Sequence, residues 1–272
     1  QITSTTGRKV TVEDGVTLWI DSSAVVNIDC ELNVKNHGTV VLKRGSVAKI
    51  KFLNIEPGGT IIIDTNATLA LEEAKQICDG NFEIHATNWG KAKIVGQLST
   101  TCLATDAISD PVSKYQLYSD YPYIQTQPII FMKGDCSNPI AQSLKLRNTI
   151  LKDVSINGSD LRIFPIDSCE FYSKTDITNP TFKFDYLLSL YYNNCQTCEN
   201  DEFKTVWIKN STFKDLTQPL PPLNNSDINK LIYNTGGVIV EGYDLAEIQN
   251  TKFGNLEFGV NTFDCKQTYI HN

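Results

Sequence analysis

The chain has 272 residues, 41% of them hydrophobic, with a formal charge of −7, eight cysteines and one methionine. This balance excludes an intrinsically disordered chain, and an acidic protein without a basic run argues against a nucleic-acid partner. No segment approaches the roughly 20 apolar residues of a membrane-spanning helix.

The first elements in chain order are short, β-rich and repeated. Thr17-Leu18-Trp19-Ile20 and Val25-Val26-Asn27-Ile28 read as strands separated by a turn. Gly38-Thr39-Val40-Val41-Leu42 returns as Gly59-Thr60-Ile61-Ile62-Ile63, a shift of 21. Leu32-Asn33-Val34 returns as Leu53-Asn54-Ile55 at the same shift of 21. The apolar columns 18/40/61, 20/42/63, 26/48/69 and 28/50/71 alternate with outward positions, as strand geometry requires. Three strands per period of about 21 residues predict an all-β, single-domain parallel β-helix over 1–272, whose rungs bury one another. Ten to twelve rungs are expected at this period, roughly one per 4.8 Å of axis.

The same alternation places Trp19, Val41 and Ile62 outside, beside Thr17, Thr39 and Thr60. Such a stripe predicts contact with a partner or with a covering arm of the chain itself. Residues 99–139 interrupt the rhythm and read as an irregular insertion carrying Tyr115, Tyr118, Tyr121 and Tyr123. These tyrosines are candidate carbohydrate or partner contacts, with burial against the coil as the competing reading. A second loop, 217–229, is rich in Pro, Asn and Asp.

The C-terminal half carries its own repeat. Leu146-Arg147-Asn148-Thr149-Ile150-Leu151 is matched by Ile208-Lys209-Asn210-Ser211-Thr212-Phe213 and by Ile248-Gln249-Asn250-Thr251-Lys252-Phe253. A weaker copy is Ile166-Asp167-Ser168-Cys169-Glu170-Phe171. A strand ending at a left-handed Asn turn, followed by an aromatic returning to the core, accounts for the pattern. This Ile-x-Asn-Ser/Thr-x-Phe pattern, with Gly236-Gly237-Val238-Ile239-Val240, resembles the right-handed parallel β-helix repeats of the pectin-lyase-like superfamily. It is most similar to non-enzymatic versions in surface proteins, including polymorphic membrane proteins, over roughly residues 8–98 and 140–262. The resemblance implies the right hand of the coil and, more weakly, a surface role.

Cys30, Cys78, Cys102, Cys136, Cys169, Cys195, Cys198 and Cys265 are even in number and read as disulfide candidates. Cys78 and Cys102, 24 residues apart, suit neighbouring rungs; the other connectivities stay open. The rival metal reading of Cys195-Gln196-Thr197-Cys198 lacks a matching second pair, since His37, His85 and His271 are scattered singly. Neither metal nor cofactor is therefore expected. Four sequons add glycosylation candidates: Asn66, Asn157 and Asn224 in apparent exposed turns, and Asn210 in the stacked Asn column. A chain starting at Gln1 suits a processed secretory product, so the expected location is extracellular or the cell surface.

Catalysis is the contrasting expectation. The polygalacturonase residues (Asn-x-Asp, Asp-Asp, Gly-His-Gly, Arg-x-Lys) are not present as a set, although Asn27-Ile28-Asp29 and Asn225-Ser226-Asp227 match the first element. The residues favour a structural or adhesive scaffold, with a polysaccharide lyase or glycoside hydrolase as the alternative. Neither 1–7 nor 265–272 carries a capping helix pattern, which predicts two bare ends and head-to-tail association, unless further rungs of a longer chain supply the cap.

Overall fold

The computed structural model describes residues 9–73, 75–87, 90–96, 129–134, 143–173, 186–192, 204–216, 236–256 and 258–271. Among them the chain winds through three faces in fixed order, and all paired strands run parallel. The first turn shows the plan. Lys9–Val12 lies on face I, Thr17–Ile20 on face II, and the first half of Val25–Val34 on face III. That last strand then bends and continues onto face I, as Val47–Ile55 does one turn later. Face I continues through Lys75–Cys78, Ile129–Lys133, Ser155–Ser159, Tyr186–Tyr191, Gly236–Glu241 and Phe258–Phe263.

Face II runs from Thr17–Ile20 through Thr39–Leu42, Thr60–Asp64, Asn81–His85, Ser143–Lys145 and Arg162–Ile163. A bridge between Arg147 and Asp167 links it to Ile166–Asp167, Thr205–Lys209, Leu245–Gln249 and Gln267–His271. Face III comprises the first halves of the two bent strands, then Thr68–Leu71, Ala92–Gly96, Thr149–Lys152, Glu170–Ser173, Thr212–Asp215 and Lys252–Gly254. Faces I and II each hold nine strand layers among the described residues, with Arg162–Ile163 and Ile166–Asp167 sharing one layer. Successive partners lie farther apart in the sequence in the C-terminal half. Phe82 pairs with Leu144, 62 residues on, and Ile166 pairs with Ile208, 42 residues on. In the N-terminal turns, Thr17, Thr39, Thr60 and Asn81 pair in sequence at offsets of 22, 21 and 21.

The core follows from the columns. Val26, Ala48, Leu69, Ile94, Leu151, Phe171, Phe213 and Phe253 are in continuous register inside face III. Its last three rings stack, with centroids 4.4 Å apart for Phe171–Phe213 and 5.4 Å for Phe213–Phe253. Apart from the passage from Asn81–His85 to Ala92–Gly96, the corner from face II to face III is short and is made by a left-handed residue: Ser23, Gly45, Asn66, Asn148, Ser168, Asn210 or Asn250. Asn and Gly meet that conformation at lowest cost. The next residue turns inward and is small. Thr149, Ser211 and Thr251 donate their hydroxyls to the carbonyls two residues earlier, at 2.9, 2.8 and 2.8 Å. Cys169 does the same with its thiol at 3.4 Å. The Asn-Ser/Thr repeat is therefore a corner device: a backbone reversal followed by a buried side chain that satisfies a carbonyl.

Candidate interaction surfaces

Trp19, Val41 and Ile62 form one outward column of face II, which continues into Glu83. Trp19 is 55% exposed, whereas Val41, held between its two neighbours in the column, is 9% exposed. Lys43 closes over Trp19 with its Nζ 4.9 Å from the ring centroid, and also bonds Asp21 at 2.7 Å. Among the described residues no arm of the chain hides the indole. The adjoining corners are laced turn to turn: Lys35 donates to Glu13 at 2.6 Å, and His37 Nδ1 lies 3.0 Å from Asp14. The hydrogen bond to Glu13, aided by its charge, raises the Lys35 ammonium above its ordinary range. These pairs are exposed, and each contributes little to stability.

Farther along face II, Trp207, Glu247 and Tyr269 form a second outward column, with Trp207 and Tyr269 about half exposed. Sequence reasoning did not single these out. The signal was available in the Ile208, Ile248 and Ile270 column, whose neighbours Trp207, Glu247 and Tyr269 must face out.

The ends of the coil differ. In the first turn the inward residues Val12 and Ile20 are buried. In the last turn, Ile270 occupies the same inward column as Ile208 and Ile248, both buried, yet is 60% exposed. Phe258 and Phe263 of the same turn are also about half exposed. Lys252–Gly254, Phe258–Phe263 and Gln267–His271 are each the last strand of their sheet path, paired on one side only. Exposed inward apolar residues therefore occur in the last described turn and not in the first.

Among the described cysteines no disulfide is formed. Cys102, the partner suggested for Cys78, lies outside the described residues, and Cys30, Cys78, Cys169 and Cys265 are free thiols. The reason is placement: Cys78 and Cys169 point into the core and act as small apolar fillers. Burial pushes the Cys78 thiol well above its ordinary value and that of Cys169 up to about 12. Cys102, Cys136, Cys195 and Cys198 lie outside the described residues, as do Tyr115, Tyr118, Tyr121, Tyr123 and Asn224.

The remaining sequons separate clearly. Asn66 is an exposed left-handed corner residue. Asn210 is at the surface but committed to a ladder: its Nδ2 donates to Asp167 at 2.9 Å and its Oδ1 accepts from Asn250 at 3.4 Å. Asn157 is not in a turn. It lies within the strand Ser155–Ser159, paired between Phe131 and Ser189, and its Oδ1 is buried without a hydrogen-bond partner. The Ile-Asn-Gly-Ser stretch looks like a turn, but Gly158 is there because a Cβ would come within 2.7 Å of Leu161.

Among the described residues no group of three or more His, Cys, Asp or Glu side chains could hold a metal ion, and no helix is long and apolar enough to cross a membrane. On face III, Glu170 accepts from Lys91 and from the Tyr172 hydroxyl, the latter at 2.9 Å. Burial alone would raise the Glu170 carboxyl, but the two hydrogen bonds and the lysine charge outweigh it and leave the group below its usual range. No family model matches the chain, and comparison with curated proteins and with solved structures gives no match either.

Proposed function

We propose that this chain is a secreted or cell-surface glycoprotein whose β-helix, of the pectin-lyase-like kind its repeats resemble, serves as a structural or adhesive scaffold associating end to end. The observation that carries the reading is the C-terminal turn, where Ile270 continues a buried column into solvent beside three free strand edges. Free edges and an exposed core column template a further β-layer, whether from another copy or from following rungs of the same polypeptide. The rest of the molecule suits a scaffold: nine parallel layers cross-linked by Asn and ion-pair ladders, with aromatic columns on face II available to partners. Glycans at Asn66 and Asn224 belong to the same reading.

Sedimentation velocity over a concentration series, with electron microscopy of the same samples, tests the association. The chain is expected to form species elongated in multiples of one rod, and Ile270→Asp to return it to monomer. A wild-type chain that stays monomeric at every concentration overturns end-to-end assembly. Association that survives Ile270→Asp moves it away from this turn.

A further inference from the structure

Face III gathers lysines that are far apart in the sequence. Lys49, Lys93, Lys152, Lys214 and Lys252 are all exposed and all point outward from its strands, although the closest two are 38 residues apart in the chain. Registers place them in two adjacent columns. Lys49, Ala70, Val95, Lys152, Tyr172 and Lys214 form one. Lys93, Ile150, Glu170, Thr212 and Lys252 form the other. Seven strands separated by about 4.8 Å carry the set, so it extends about 29 Å along the axis and about 7 Å across it.

The carboxylates of this face are largely engaged. Glu170 is held by Lys91 and Tyr172, and Glu73 lies 3.7 Å from Lys51; Asp29 and Glu72 stand toward the N-terminal turns. None of the five lysines has a carboxylate within ion-pair distance among the described residues. A chain of net charge −7 thus presents one narrow cationic strip.

We propose that this strip binds a linear sulfated polysaccharide laid along the coil axis. A long, narrow strip of charge complements a chain rather than a plane. Each pyranose of an extended polysaccharide advances by about one strand separation, so sulfates spaced along it meet the five lysine-bearing layers while intervening sugars pass over Thr68–Leu71 and Glu170–Ser173. Lysine ammoniums, as compact point charges on flexible stems, suit sulfate groups whose positions vary along the polymer. Tyr172, in the column between Lys152 and Lys214, places an aromatic ring where a sugar face passes. This proposal is independent of end-to-end assembly.

The test is calorimetric titration of the full chain with heparin as the sulfated probe, repeated over a salt series. Wild type is expected to bind with affinity falling steeply as salt rises. Lys152→Glu with Lys214→Glu is expected to weaken binding at least tenfold and to reduce the log–log salt slope by about two. Lys133→Glu, on face I, should leave binding unchanged, as should replacement of the probe by fresh heparin of the same length. Chemically desulfated heparin and neutral dextran should not bind. Unchanged melting temperatures for the variants, all at exposed positions, show that the fold persists. The proposal is overturned if wild type ignores heparin at low salt, or if the double variant binds as wild type does. It is equally overturned if Lys133→Glu weakens binding as much, or if single-stranded DNA of matched charge binds as tightly as heparin.

Discussion

Replacing Phe213 with alanine removes the middle ring of the stack Phe171–Phe213–Phe253. The side chain is fully buried, with neighbouring centroids at 4.4 and 5.4 Å, so no solvent can fill the gap and both faces of the ring lose their partners. Truncating a buried Phe costs about 3–5 kcal/mol through transfer and cavity terms. Two aromatic contacts of about 0.5–1.5 kcal/mol each place this site at the upper end, about 4–5 kcal/mol. Phe213→Leu keeps most of the volume and loses only the stacking, so about 1–2 kcal/mol is expected. In a solenoid each layer is stabilised mainly by its neighbours, which makes the damage local. Peptide-level hydrogen exchange should show protection lost over 170–173, 205–215 and 245–254, while 17–63 exchanges as in wild type. A cost below about 1 kcal/mol for Phe213→Ala, or uniform loss of protection along the chain, would refute the stacked, layer-by-layer account.

Other expectations are smaller in scope. Cys78 and Cys169, buried and with raised pKa, should resist alkylation at pH 8 in the native protein and react on unfolding, while the partly exposed Cys265 reacts at an intermediate rate; rapid native labelling of Cys169 would contradict its placement. At the left-handed corner, Asn210→Gly should be nearly neutral in urea melts and Asn210→Ala should cost about 1–2 kcal/mol, whereas equal effects would mean that the backbone conformation is not the reason for the Asn. Because the folded Glu170 carboxyl is depressed, its contribution to stability is present above the unfolded carboxylate pKa and fades as pH falls through the folded one; Lys91→Met should flatten the melting-temperature profile in that acidic window. Expressed in a eukaryotic secretory host, the chain should carry glycan at Asn66 and none at Asn157, which glycopeptide mass mapping reads directly.

Much of the N-terminal half was legible because its turns have nearly constant length, so Leu18, Val40 and Ile61 fall into a column by counting alone. The C-terminal half was legible only at one corner, where the left-handed residue and the inward Ser or Thr recur. Elsewhere the layers are joined by segments of unequal length, so the pairing of Phe82 with Leu144 cannot be counted out. Asn157 misled because Gly158 signals a turn in the sequence, whereas here it accommodates Leu161. Cysteine number pointed to disulfides, but a stacked core also uses Cys169 where other turns use Ser211 or Thr251. The lysine strip was invisible for a simpler reason: its members become neighbours only when the turns are stacked.

The core columns, the corners and the lysine strip all depend on that stacking, and in-register cross-linking tests it most directly. Adjacent parallel strands bring paired Cα atoms to about 4.8 Å, within disulfide reach. Engineered pairs Thr17→Cys with Thr39→Cys, and Trp207→Cys with Glu247→Cys, are predicted to cross-link rapidly under mild oxidation, as read by peptide mass mapping. The out-of-layer pair Thr17→Cys with Thr60→Cys, two layers apart, should not. Failure of both in-register pairs, or equal cross-linking of the out-of-layer pair, would contradict the parallel coil.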